Sequence, residues 1–497
     1  MMDNNLDSKF SKCSIDGCEN DAFIGHDECI LHCPKGDIIV AFYFYKEFKN
    51  YMLKLIKTFK KDTGNEELNQ FLKKQSLALY LIEFTDRDTD DSFDYLKILE
   101  LFGKINFTNC KFYTGYLPLK GVEVHFSDCV FYDEWLLLDF KLSREEYSIY
   151  SNCKFKKNTY TAYGVSQEAS FLKHTQFDGF CSFEKELMIH NTTMEGLLFC
   201  MHEPTCSTRN SSIKFLKIEN AIFKNRFALE EININKIEIL SAVFEDRFDL
   251  IDSKVGEIDI SHTNFKKLTN FFGTKFIKFS ITKSIFDDFV GFEQCEFGQD
   301  KNKKNIAAFT HVTFIGFINF RNAKFLSGLD LSMTNLKEYP NFLNTDINKR
   351  FTNRETFRII KYSFLKLGNT IESNKFYAKE LEKYKEELDS KNYSFFNQER
   401  LIYFFNKHIS NFGQSYFKPI FLFIIVSIVH YCTIRCYEAN MLYKICEPLN
   451  SVAKNITPFK LMMTEGIEFL SILFGVIYSI LLWHIIVAVK AHTRKSD

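Results

Sequence analysis

Net charge, proline and any recognisable catalytic motif are what this 497-residue sequence lacks. Lys plus Arg and Asp plus Glu number 63 each, so the formal charge is zero. That excludes a dedicated nucleic-acid binder, which needs a basic excess or stripe, and equally an acidic mimic of nucleic acid. Proline occurs only 7 times. There is no Gly-rich phosphate loop, no Gly-x-Ser-x-Gly and no His-Glu-x-x-His. A positioned nucleophile, base and stabiliser are therefore not in view, and an enzyme is not expected. His174, His190, His262 and His311 are scattered and read as ordinary histidines. The first residues, Met1 to Ser14, are polar and carry no signal-peptide pattern, which places the bulk of the chain in a reducing cytoplasm. The length is too great for one ordinary core and implies roughly two to four units.

What the chain has in excess is phenylalanine, 56 residues, and it is spaced. From about 103 to 340 a small residue, a variable residue and Phe recur. Examples are Cys110-Lys111-Phe112, Cys129-Val130-Phe131, Cys153-Lys154-Phe155 and Ala221-Ile222-Phe223. Further copies are Ala242-Val243-Phe244, Thr263-Asn264-Phe265, Ser284-Ile285-Phe286, Cys295-Glu296-Phe297 and Ala323-Lys324-Phe325. Phe223, Phe244, Phe265 and Phe286 follow one another at 21 residues. A fixed period near 20 means one supersecondary unit stacked on copies of itself. In extended chain, side chains alternate, so the small residue and the Phe point inward together. The pattern predicts a β-solenoid whose coils have about four short sides of about five residues, with Cys used as a small core residue. Its register breaks at 136–150, 200–212 and 298–306, which read as loops.

This small-x-Phe beat resembles the pentapeptide-repeat proteins, over about half the chain. The resemblance implies a mainly β fold, a right-handed quadrilateral β-helix. A second likeness lies in Glu355–Lys361, Gly368-Asn369, Phe376–Glu380 and Ser410–Ser415. Their order is similar to the tail of bacterial pentapeptide-repeat membrane proteins, in which a helical hairpin joins the repeats to two C-terminal transmembrane spans. It implies an architecture and no activity.

Helical periods flank the repeats. Phe48, Tyr51, Met52, Leu55, Ile56 and Phe59 predict one helix, and Leu68, Phe71, Leu72, Leu79 and Ile82 a second over 66–84. Asn353 is the expected N-cap of a helix striped by Phe357, Ile360, Phe364 and Leu367, and Gly368-Asn369 ends it. The helical hairpin that follows is expected to cap the open edge of the solenoid. Two uncharged apolar stretches close the chain: Pro419–Ile434, with Lys418 and Arg435 placed to snorkel, and Phe469–Val489, long enough to cross a bilayer. Basic residues before the first span (Lys407, His408, Lys418) and after the second (Lys490, His492, Arg494, Lys495) predict both ends cytoplasmic and the 436–465 loop external. Cys436 and Cys446 would then share an oxidising side.

The sharpest chemical motif is Cys13-x4-Cys18-x10-Cys29-x2-His32. Three thiolates and an imidazole suit tetrahedral structural zinc, with Cys33 able to replace His32. The spacing is similar to small zinc-knuckle modules. In the spans, His430 and His484 are intramembrane ionisable groups. Glu465 and Glu468 precede the second span, where an acidic ring would favour cations, although no carbonyl-rich filter sequence is present. The expected order is a zinc-knuckle-like module at 1–36, helices at 37–100, the β-helix at 101–345, a helical hairpin cap and linker at 350–412, and the two-span region at 413–497. Function is expected to be a protein-binding scaffold at the bacterial cytoplasmic (inner) membrane, with a protein partner on the solenoid surface. The alternative is a homo-oligomeric two-span pore or membrane-disrupting effector with the solenoid as its sensor.

Overall fold

Phe223, Phe244, Phe265, Phe286 and Phe314 are partners in successive parallel strands. Their rings stack at 4.9, 5.0, 4.6 and 5.0 Å between centroids, nearly coplanar. The spacing is that of neighbouring strands, and at such distances parallel rings lie offset, the favoured arrangement. An equivalent column runs Phe84, Phe112, Phe131, Phe155 and Phe183 at 5.0, 4.9, 4.6 and 4.9 Å. The repeat in the sequence is thus a repeat of parallel pairing, and this region is β-solenoid-like.

The computed structural model describes residues 11–34, 38–59, 70–85, 95–115, 117–119, 121–162, 169–200, 212–299, 305–390, 397–439 and 464–493. It divides into two compact units. The first runs to Gly328 and adds 333–338 and 343–348, and the second holds 329–332, 339–342 and the chain from Lys349 onward.

Among the described residues the strands form three sheets, of 22, 5 and 4 strands. The small residue of each repeat is buried, as at Cys110, Cys129, Cys153, Ala221, Ala242, Thr263 and Ser284. At several of these positions the side chain donates to the carbonyl two residues back. Thr263 and Ser284 do so at 2.9 Å to Ser261 and Thr282, and Cys129 and Cys153 at 3.3 and 3.4 Å to Ser127 and Ser151, whereas Cys295 donates to the Phe271 carbonyl at 2.9 Å. Cysteine and hydroxyl residues therefore serve one purpose here. They fill a narrow inward position and satisfy a buried carbonyl.

The residue just before the small one turns the corner in the left-handed region. Asn109, Asp128, Asn152, Asn220, Ser241, His262, Lys283, Gln294 and Asn322 all have φ between 47° and 59°. Asn and Asp tolerate that conformation better than other side chains. Lys283 has no such advantage. Lys283→Asn is expected to stabilise the fold by about 0.5–1 kcal/mol, measured as a raised denaturation midpoint.

Two features of the coil differ from expectation. Instead of four equal short sides, 8-residue strands recur at Ser212–Glu219, Asn233–Leu240, Lys254–Ser261 and Lys275–Thr282. Each buries residues at intervals of three and then two, as in Ile234, Ile237 and Ile239. The alternation slips once in mid-strand, between the first and second buried residues. The helix expected over 66–84 is corrected in its second half: 66–69 lie outside the described residues, and 70–72 are helical. Ser76–Tyr80 and Glu83–Thr85 are strands, in register with Lys104–Thr108 and Lys111–Tyr113. Leu77 and Leu79 are buried while Ser76, Ala78 and Tyr80 are exposed, the period of a strand. Leu81, at φ 56°, interrupts that period and disguises it. The sheet stack therefore begins near Ser76, ahead of the expected boundary at 101.

Ahead of it, helix α1 (Ile38–Phe59) buries Phe44, Phe48 and Met52. The Phe44 and Phe48 rings meet Phe84 edge-on at 6.1 and 5.6 Å. Helix α2 is the short Tyr95–Leu99. Of the expected interruptions, 136–150 is an irregular excursion that returns through a Glu123–Lys141 bridge and buries Leu137 and Phe140. Most of the other two lies outside the described residues, at 201–211 and 300–304.

The second unit is helical: α3 (Arg354–Lys366), α4 (Thr370–Ser390), α5 (Gln398–Ser410), α6 (Phe417–Glu438) and α7 (Glu468–Thr493). Asn353 caps α3 as expected, accepting the Thr356 amide at 2.8 Å. Phe364 and Phe376 stack between α3 and α4 at 5.5 Å. The buried Glu380 carboxylate receives Arg358 at 3.2 Å and Lys361 at 2.8 Å. Within this unit the amides of Leu329 and Leu331 donate to the hydroxyls of Thr352 and Thr356 at 3.1 and 2.8 Å. Side chains of the hairpin thereby satisfy strand donors that would otherwise be bare.

Candidate metal centre

Residues 11–34 have too little apolar bulk to fold on a core of their own. Turns do the positioning. Gly17 and Gly25 take φ of 82° and 85°, which only glycine adopts freely. An isolated antiparallel bridge joins Lys12 to Asp21, and one tight turn returns the His32 and Cys33 amides to the Cys29 carbonyl at 2.9 Å. That turn sets His32 three residues beyond Cys29 and on the same side.

Cys13, Cys18, Cys29 and His32 converge, each offering a donor atom within 4.8 Å of the others. The Cys18 and Cys29 sulfurs are 3.8 Å apart, and His32 Nδ1 lies 3.4 Å from Cys13 Sγ and 3.3 Å from Cys29 Sγ. Zinc bonds of about 2.3 Å to sulfur and about 2.0–2.1 Å to nitrogen give tetrahedral edges of about 3.8 Å and about 3.6 Å. The donor set fits a tetrahedral soft-ligand ion with an outward shift of a few tenths of an ångström at the imidazole. Cys33 is not part of the group. Its buried thiol points to the Ile30 carbonyl at 3.9 Å, and His32 is the fourth member of the group that could hold an ion.

The surroundings favour thiolate at one corner and oppose it at another. Burial works against charge on Cys13, yet the Cys29 amide donates to its sulfur at 3.2 Å, and its pKa lies below the ordinary thiol value. Burial pushes the Cys18 thiol up to about 12, with the neighbouring Cys29 adding to it. Without an ion Cys18 therefore holds its proton at neutral pH, and binding must release it. The sign follows: each bound thiolate gives up a proton, so affinity falls as pH falls. Metal retained at neutral pH should leave on acidification to about pH 5, read as metal content after desalting. A cleft of about 400 Å3 beside Cys18 and His32, lined also by Tyr51, Lys54 and Tyr80, gives the ion a way in.

The other predicted residues are not gathered into one place. Glu465 is exposed, whereas Glu468, in the first turn of α7, is buried. His430 on α6 stacks on Phe474 at 4.3 Å and faces the Tyr478 hydroxyl at 3.4 Å, joining the two apolar helices. His484 instead meets Ser410 of α5 at 3.2 Å. Cys436 is exposed on α6, and Cys446 lies outside the described residues. His262 and His311 are left-handed corner residues of the coil, at φ 51° and 56°. No spacing or motif marks Asp249, wholly buried in a strand and held by Arg226 and Arg247 at 2.6 and 2.7 Å. Its neutralisation by two arginines is structural.

The helices α6 and α7 supply apolar stretches of 22 and 24 residues, long enough to cross a membrane. Only Pro419 of α6 is buried, and Phe421, Ile424, Ile428 and Val429 are exposed. The core helix of a soluble protein would bury such a face. No protein-family model, curated protein sequence or solved structure matches the chain.

Proposed function

We propose that this chain is a membrane-anchored scaffold built on a pentapeptide-repeat β-helix, right-handed and four-sided. The α6–α7 pair anchors it in the cytoplasmic membrane with both ends inside, and a protein partner binds the outer surface of the stack. The Cys/His cluster holds a structural zinc. Four soft donors leave no open position, so the ion would supply folding energy rather than a reactive water. The observation that carries the anchoring is the bare apolar face of α6. The stack supports the scaffold because parallel rungs in register give a rigid surface on which outward rows repeat at about 4.8 Å, a surface suited to a partner with its own period.

The test separates this reading from a pore. Purified full-length protein is placed in liposomes, beside a Glu465→Ala, Glu468→Ala double variant, and ion flux is followed. A scaffold gives no flux in either. Flux in the parent that disappears in the variant would replace the scaffold with a cation-selective assembly.

A further inference from the structure

One helix of the second unit has an apolar face that its protein neighbours do not cover. Asn397 opens α5, accepting the amides of Glu399 and Arg400, and Asn411 closes it in the left-handed conformation. One side of α5 is tied to α4. Arg400 pairs with Asp389 at 3.0 Å, Lys407 with Glu382 at 3.5 Å, and Tyr403 meets Tyr384 edge-on at 5.1 Å. On another face, Ile402, Phe405 and Ile409 recur at helical spacing. Ile402 and Phe405 are more than half exposed. These residues form one wall of a cleft of about 640 Å3 whose other wall is Ile477, Ile480 and Trp483 of α7.

That second wall identifies the occupant. α7 is the more apolar of the two candidate spans. A cleft open on its side is filled by whatever surrounds it, and two facing apolar walls exclude water. Trp483 lies just past the middle of α7, in the half that carries Lys490, and is 59% exposed on the apolar helix. An amphipathic helix lying in the interface presents its apolar face to that boundary. We propose that α5 is an in-plane membrane helix and that the α5–α7 cleft is filled by phospholipid acyl chains. This rests on the reading of α7 as a span and adds a second, lateral contact with the bilayer.

Tryptophan fluorescence tests it, because the chain has two tryptophans and Trp135 is fully buried in the first unit. Full-length protein is reconstituted into phosphatidylcholine vesicles with and without brominated acyl chains, which quench indoles they touch. In the parent, Trp483 reports the span. In a Trp483→Phe, Phe405→Trp variant the indole reports α5, and Trp483→Phe, Ile402→Trp repeats the reading at a second position. Trp135 adds the same unquenched background throughout. The proposal expects both α5 indoles to lose fluorescence at least as strongly as Trp483, more with bromines near the headgroup than near the chain end. Quenching of Trp483 with none at 402 or 405 would overturn it and leave the anchor standing, the face then meeting water, a second copy or another protein. No quenching at any of the three would overturn the anchor as well.

Discussion

Replacing Cys29 by serine is expected to abolish stoichiometric metal, unfold residues 11–34 and unpair the first coil. Structural zinc contributes about 10–16 kcal/mol of apparent folding energy to modules of this kind, more than a segment with so few buried side chains can replace. Apart from cysteine, its buried apolar residues are Ala22, Ile30 and Leu31. The consequence reaches the sheet. The Glu83 amide, in the second strand of the stack, donates to the Leu31 carbonyl at 2.9 Å. Glu83 is itself almost fully buried and paired with Lys111 at 2.8 Å. Without the module this amide loses its partner, and an open strand edge invites association with other chains. Hydrogen exchange checks it. Protection should vanish at Cys29, His32, Cys33 and Glu83, whether the metal is removed by Cys29→Ser or by a chelator, and persist at Val243 and Asn264. Unchanged protection at Glu83 after metal loss would separate the module from the stack.

Phe265→Ala is expected to cost about 3–5 kcal/mol, and Ile285→Ala less than about 1 kcal/mol. Phe265 is buried between Phe244 and Phe286, at 5.0 and 4.6 Å, and meets Phe248 edge-on at 5.2 Å. Its removal leaves a cavity shared by two rungs, which a ladder fixed by its own hydrogen bonds cannot close. Ile285 lies one residue before Phe286 in the next coil, points outward and is 37% exposed. Pulse proteolysis across a denaturant series in detergent gives both values. Equal costs would mean that the repeat does not set which residues face inward.

Much of this was readable because stacking makes each coil repeat the same demand. A ring every 21 residues, a small residue two positions earlier and four soft ligands in a short segment are direct imprints of geometry. What escaped has a physical reason in each case. The first coil was hidden because Leu79 and Ile82, three apart across the left-handed Leu81, mimic a helix. The long strands were missed because the inward period slips from two to three between Ile234 and Ile237 with no Gly or Pro to mark it. The corners at Asn109, Asp128, Asn152 and Asn220 were written in the sequence, but Ser241, His262 and Lys283 occupy equivalent places and blur the signal. The choice of His32 over Cys33 depends on where one tight turn points two adjacent side chains, which spacing alone does not decide. The apolar face of α5 can be traced in the sequence by the helical spacing of Ile402, Phe405 and Ile409. That it lines a cleft with α7 follows from packing between segments some 75 residues apart, as Ser410 and His484 show at |i−j| of 74.

The central claim is that α6 and α7 hold the chain in a bilayer, and alkaline carbonate extraction of cell membranes tests it most directly. The full-length protein should stay in the membrane pellet and enter solution only with detergent, while a version ending at residue 412 is released. Full-length protein in the carbonate supernatant would contradict it, and the two apolar helices would then have to be buried against protein.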